Sequence, residues 1–159
     1  MSLSNHLAGY LEQRGAQYGV CGHAYSRSSA ETARAANIMP NLLAKSVILE
    51  DEDGCVMAVI PADKTVMIGE LARLLGRRSL RLSDENRIAT LLSDCDRGAV
   101  PSVGMAWGIE TVIDDELEEN SVVYVEGGDH EHLLRMSHDE FHTLMRGLRH
   151  GCFSKLPTH

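Results

Sequence analysis

Three groups of residues in this sequence are of types that could do chemistry. The first is a single lysine, Lys45, in the apolar stretch "LLAKSVIL" of residues 42–49. In a strand alternate side chains share a face, so Leu43, Lys45, Val47 and Leu49 lie on one side and Leu42, Ala44, Ser46 and Ile48 on the other. Both sides are mostly apolar, and an ammonium buried without a partner is strongly disfavoured or gives up its proton. Either the stem lies along apolar surface with its head in water, or a pocket opens over it. In the second case the fixed cation can meet a phosphate, a carbonyl or a developing oxyanion. The second group is "GAVPSVG", Gly98 to Gly104. Gly98, Pro101, Ser102 and Gly104 break any regular pattern, so the segment is either an ordinary connection or a loop whose backbone N–H groups hold a carbonyl oxygen. The third is "EGGDHEH", in which a strand ends at two glycines and presents Asp129, His130 and His132 beside Gly128. A histidine there can place a water or bind a substrate amine or hydroxyl, although surface histidines are common.

A competing chemistry is metal hydrolysis. His138 and His142 stand four apart in "HDEFH", close to the H-E-x-x-H zinc arrangement, with Asp139 where glutamate is required and with His130 and His132 available as further ligands. Aspartate is a methylene short for the general base, and His138 falls in a capped first turn that polar residues fill anyway. Covalent catalysis has less support: Cys21, Cys55, Cys95 and Cys152 are scattered without a C-x-x-C pair, and no G-x-S-x-G elbow occurs. Neither G-x-x-x-x-G-K-[ST] nor G-x-G-x-x-G is present, so no usual phosphate cradle is expected. No metal and no cofactor is expected.

Positioning these residues requires alternating strands and helices. Leu3, Leu7, Tyr10 and Leu11 predict a helix over 3–14 stopped at Gly15, and a short strand follows over 17–23. Ser28 or Ser29 caps a helix through "AETARAAN" that ends before Pro40. Strands over 42–50 and 55–60, joined by "DEDG", form the clearest hairpin. "MIGELARLLG" reads as a helix closed by Gly76, "RRSLRL" as a strand, and "SDENRIATLL" as a helix with Ser83 at its N-cap. Strands recur over 111–113, 121–126 and 133–136, and Ser137 with Glu140 opens a final helix over 138–148. The whole reads as α+β: a mixed sheet flanked by helices, in one domain over residues 1–150 with a flexible tail over 151–159.

Composition narrows the partners. The 159 residues are 43% hydrophobic, enough for one sizeable core. The N-terminus has no basic-then-apolar pattern and the longest apolar run, Cys55 to Ile60, cannot span a bilayer, so a cytoplasmic protein without membrane association is expected. A net charge of −8 argues against broad nucleic-acid binding, DNA included. Five of the 15 basic residues nevertheless fall at Arg73, Arg77, Arg78, Arg81 and Arg87. They are either a solvated helix end or a local patch for nucleic acid.

Taken in order, "LLAKSVIL", "GAVPSVG" and "VVYVEGGDHEHLLRMSHDEF" resemble the YbaK/ProX-like aminoacyl-tRNA editing domains, relatives of the insertion domain of bacterial prolyl-tRNA synthetases. The likeness runs over about residues 20–147, around the "VMAVIPAD" strand and the "GELARLLG" helix. It implies a mixed, partly barrel-like sheet and hydrolysis, in trans and without a metal, of the ester joining a wrong small amino acid to tRNA. By this resemblance Lys45 is the functional lysine, His130 matches the histidine after the late glycines, and Ser46, Gly98, Pro101, Ser102, Gly104 and Gly128 border the aminoacyl pocket. A hydroxyl of the substrate ribose would help to activate water. The family commonly has asparagine where this chain has Ser46, which bears on amino acid preference. The expected partner is the acceptor end of a mischarged tRNA, touched through Arg73, Arg77 and Arg78, with a synthetase as a further candidate. A non-catalytic module of the same fold that binds a tRNA end or small ligand is the alternative, and a metal hydrolase built on His138 and His142 is the third.

Overall fold

The structure is a computed structural model that describes residues 3–157. In chain order it contains α1 (Asn5–Gln13), β1 (Gly19–Gly22), α2 (Ser29–Ala35), β2 (Leu43–Asp51), β3 (Gly54–Pro61), β4 (Thr65–Val66), α3 (Ile68–Leu75) and β5 (Arg81–Leu82). Then follow α4 (Glu85–Leu91), β6 (Glu110–Asp114), β7 (Val122–Glu126), β8 (His132–Ser137), α5 (His138–Leu144), β9 (Arg149–Gly151) and β10 (Ser154–Lys155). The sheet runs β1-β8-β7-β2-β3-β6-β9, with β5 added to β2. It is mixed: β2–β3, β7–β8 and β1–β8 are antiparallel, whereas β2–β7, β3–β6 and β6–β9 are parallel.

Both faces of the central hairpin are covered, which explains the unbroken apolar run in β3. Met57 and Val59 face a core shared with Leu7 and Leu11 of α1 and Phe141 of α5. Val56, Ala58 and Ile60 face a second core with Leu71 of α3 and Phe153. A third, smaller cluster joins Leu43 of β2 and Leu133 of β8 to Ala33 of α2.

The feature that opens a site is a split along one edge of β2. One edge of the strand pairs with β3 from Ala44 to Asp51. The other edge pairs with β7 only at Leu43 and Ala44 and with β5 only at Leu49 and Glu50. Between these two partners, residues 45–48 have no neighbouring strand on that side, and burial drops over Lys45, Ser46 and Val47.

Several local expectations are corrected. The N-cap of α4 is Asp84, whose carboxylate accepts the Arg87 N–H at 2.8 Å, and not Ser83. Helix α5 ends at Leu144, before a turn. "RRSLRL" supplies only two strand residues. The expected loose tail is paired through Lys155: Gly151 belongs to β9, Phe153 is fully buried, and β10 pairs with β4. Asp114 fixes this segment by accepting from the Phe153 N–H and the Ser154 hydroxyl. The last two tail residues lie outside the described residues.

Candidate functional site

The split in the sheet holds a cavity of about 410 Å³, floored by Lys45, Ser46 and Ile48 of β2. Its walls are the approach to α2 (Arg27, Ser28), α4 (Glu85, Ile88), the loop at Gly98 and Val100, and Glu126 at the end of β7. Lys45 thus sits where the cover over its face changes from α2 to α3, in the stretch of the strand open on the edge away from β3. Its Nζ donates to the Lys64 carbonyl at 3.2 Å. Burial lowers its pKa, with the nearby Asp63 carboxylate acting in the opposite direction. The cation is therefore incompletely compensated and faces the cavity.

Ser46 fixes the opposite wall. Its hydroxyl donates to the Val100 carbonyl at 2.9 Å, tying the loop to the strand. Gly98 makes the close approach possible. Its φ is +80°, and a Cβ there would stand 2.7 Å from the Arg27 carbonyl oxygen and 3.3 Å from Cε1 of His130. A side chain at this position would push the loop off the α2 approach.

His130 lies behind Gly98. It is 4% exposed, adopts φ +65°, and carries a buried Nδ1 without a hydrogen-bond partner. The Tyr25 ring is tilted against it at 5.3 Å, and its carbonyl accepts from the Ser26 N–H. The geometry makes His130 a support of the Gly98 wall, one layer from the cavity. A non-glycine residue with positive φ is uncommon and strained unless its surroundings hold it.

Glu126 was not singled out by the sequence. It is 2% exposed, lines the cavity, and neither carboxyl oxygen has a hydrogen-bond partner. Burial pushes its pKa up to about 7; the Thr32 hydroxyl acts against this and Asp129 adds to it. That hydroxyl is itself bonded to Ser26 at 2.5 Å. Asp129, three residues on, is satisfied: it accepts from the Glu131 and His132 backbone N–H groups and meets His132 Nδ1 at 2.6 Å. These bonds hold its pKa below the usual carboxylate range despite burial. The available signal for Glu126 was a glutamate closing the apolar run "VVYV", which also describes an ordinary strand end.

Other expected residues fall elsewhere. Pro101 and Ser102 form a buried part of the loop and do not line the cavity. Gly104 is pressed against Thr111, Ile109 and Met57, and Gly128 against Ser4 and Cys95, so both serve packing. Arg77 is turned inward: it bonds Asp51 at 2.8 Å, Glu110 at 2.9 Å and the Gly54 carbonyl, and is not a free cation. Arg73 pairs with Glu70, and Arg81 and Arg87 face Glu50, so the basic segment is largely neutralised within the fold. Arg78 is exposed, and none of these arginines borders the cavity.

His138 and His142 lie on a second cavity of about 670 Å³, with His150, Asp115 and Glu118. Their rings stack at 5.9 Å, and His142 Nδ1 meets Glu118 at 3.0 Å. Asp139 is fully exposed and meets only His138 Nδ1, at 3.3 Å. Among the described residues no three histidine, cysteine or carboxylate side chains converge as metal ligands. Also among the described residues, no helix is long and apolar enough to cross a membrane.

Residues 23–144 match the family described as aminoacyl-tRNA editing domain. No curated protein matches the chain significantly. Among solved structures, a hypothetical protein shares 26% identity with a TM-score of 0.83, covering 95% of this chain and 100% of its own. A candidate trans-editing enzyme for prolyl-tRNA synthetase shares 23% identity with a TM-score of 0.82, over 96% of each chain. A candidate signal transduction protein from Marinobacter aquaeolei VT8 shares 22% identity with a TM-score of 0.73, over 94% of this chain and 30% of its own. At these last two identities the likeness is one of fold.

Proposed function

The chain belongs to the aminoacyl-tRNA editing domain family, and from that premise we propose that it is a trans-acting deacylase. It would hydrolyse the ester of a tRNA mischarged with a small amino acid such as alanine, serine, cysteine or threonine. The observation that carries this reading is the incompletely compensated Lys45 on the floor of an open cavity built into a gap in the sheet.

An aminoacyl ester is already activated, so orientation and electrostatic stabilisation supply much of the acceleration. Lys45 anchors the ester carbonyl or the phosphate of the terminal adenosine. The Gly98–Val100 loop is tied down by Ser46 and by the Ala99 N–H, which donates to the Asp96 carbonyl, and its Gly98 and Val100 N–H groups are the ones left for the carbonyl oxygen. His130 keeps that loop in place from behind. Water adds to the carbonyl carbon, the ester C–O bond breaks, and the released ribose oxygen takes a proton, giving free amino acid and tRNA. No step requires a metal. A cavity of about 410 Å³ suits a small aminoacyl group with part of its ribose, and a size-limited second site is how small apolar errors are removed. Among the described residues, Arg27 lines the cavity without an ion pair, and it would contact a phosphate in place of the neutralised Arg77.

The test is release of labelled amino acid from a panel of mischarged tRNAs at low salt with chelator present. Turnover of one small aminoacyl ester supports the reading and names the substrate. Binding of the same tRNAs with no turnover, by folded protein, favours the non-catalytic module, and activity lost to chelator favours a metal hydrolase.

A further inference from the structure

Glu126 has no assigned task in the hydrolysis outlined above, yet it occupies the cavity wall in an unusual state. Both its oxygens are buried and unpartnered. It stands one residue beyond the last β2–β7 pair, Ala44 with Val125, as Lys45 does on the facing strand. By strand alternation the two side chains project to the same face as Leu43 and Tyr124. The cation and the acid nevertheless do not neutralise each other: Lys45 is bonded to the Lys64 carbonyl with the Asp63 carboxylate nearby, and Glu126 has no cation, with only the Thr32 hydroxyl favouring its charge. The neighbouring acid Asp129 is fully satisfied by its own loop and contributes only repulsion.

A buried carboxyl in this position is strongly disfavoured when ionised unless a cation is brought to it. Resting on the deacylase reading, the ligand chemistry is restrictive. At the acceptor end of a tRNA carrying a small neutral amino acid, the one cationic group is the α-ammonium, close to the ester carbonyl. We propose that Glu126 is the substrate-recognition residue that reads this α-ammonium. Lys45 takes the electron-rich ester or phosphate side and Glu126 the amine side, so the two groups orient the substrate across the cavity. The site then accepts free aminoacyl esters and rejects esters whose amine is acylated or replaced by hydroxyl, because these leave Glu126 without a partner.

The experiment uses three stable amide analogues, in which NH replaces the ester oxygen: alanyl-adenosine, its N-acetyl form and its lactyl form. Binding to the full chain is measured by calorimetry or NMR shift titration. The wild type should prefer the alanyl analogue to the other two by at least about tenfold. Glu126→Gln should bring all three within about twofold, while Lys45→Ala weakens all three and keeps their ranking. Glu126→Asp, which keeps the charge, should retain a reduced preference and guards against misreading a poorly folded glutamine variant. Absence of preference or of binding in the wild type, or full preference in Glu126→Gln, overturns the proposal. Its failure is separable from that of the deacylase reading. Ammonium-dependent binding without turnover sinks the enzyme and keeps the recognition role. Equal turnover of aminoacyl-tRNA and N-acetyl-aminoacyl-tRNA does the reverse.

Discussion

The two cavities of this protein differ in a way that size does not capture. The one beside α5 is the larger, about 670 Å³ against about 410 Å³, and is lined by Ile113, Met145 and Leu148 with three histidines at its rim. There every histidine has a carboxylate: His138 and His142 share Glu118, and His150 meets Asp115 at 2.7 Å. In the wall of the smaller cavity both carboxyl oxygens of Glu126 are buried without hydrogen-bond partners, and so is Nδ1 of His130 behind Gly98. Folding normally satisfies such groups, because leaving one unmet costs about 1–3 kcal/mol. Unmet groups at the cavity mark a place where stability has been given up, which is where a ligand has something to repair.

The sharpest way to break this comparison is through Glu126 and pH. Its unfolded pKa is near the ordinary 4.5 and its folded value about 7, so between these the folded chain holds a proton that the unfolded chain has lost. Stability must therefore fall as pH rises through that window, with the full penalty present above about pH 7 and none below about 4.5. Glu126→Gln removes the penalty. It should be more stable than wild type by about 3 kcal/mol at pH 8 and indistinguishable near pH 4, measured by urea unfolding at both pH values. A pH-independent difference would mean that the carboxyl is satisfied in solution. Should stability rise while ammonium preference disappears, the orphan acid is kept for recognition and not for folding.

A pair of glycines tests the same contrast on the backbone. Gly98 at the smaller cavity and Gly147 at the larger have similar φ values, +80° and +86°. Only Gly98 has backbone within reach of an added Cβ; around Gly147 there is open space. Gly147→Ala should cost about 1 kcal/mol from the left-handed conformation alone. Gly98→Ala should cost about 2–3 kcal/mol, because the loop must also retreat from Arg27. Equal shifts in urea midpoint would show that the loop is not wedged.

What was legible in the sequence follows from how local each determinant is. The hairpin, the Gly76 stop and the Ser137 cap depend on neighbours within a few residues, and all three appear as expected. Lys45 stood out because a cation in a two-faced apolar strand contradicts its surroundings. Glu126 did not, since its lack of a partner arises only when β2 leaves β7 after Ala44, a divergence that no spacing encodes. Arg77 misled for the same reason: as part of a cluster of arginines it suggested a patch, but its partners Asp51 and Glu110 are 26 and 33 residues away. The tail misled because the burial of Phe153 rests on Asp114 and β4, far back in the chain.

The functional contrast is sharpened by Lys45→Ala against His142→Ala. The first removes a cation from the floor of the smaller cavity and should leave folding near normal. It should lower deacylation by about tenfold or more, ~1.4 kcal/mol at that lower bound. The second unpairs a rim histidine of the larger cavity and should leave the rate within about twofold. Turnover undiminished in Lys45→Ala, or lost in His142→Ala, would reverse the assignment of the two cavities.

The smallest expected effect belongs to His130. Its ring carbon meets the Gly98 position and its Nδ1 is unpartnered, but the cavity wall lies between it and the substrate. A group that acts through the wall shifts positioning and not charge. His130→Ala should therefore slow deacylation only about threefold, with the loss shared between kcat and KM and no change in the preference for a free ammonium. Restoring ring bulk with His130→Phe should recover most of the rate if the histidine only supports the loop. Failure of phenylalanine to rescue, together with a rate that follows an imidazole titration, would instead bring His130 through the wall as a group that handles a proton, and the polarity of the smaller cavity would then extend one layer deeper than its lining.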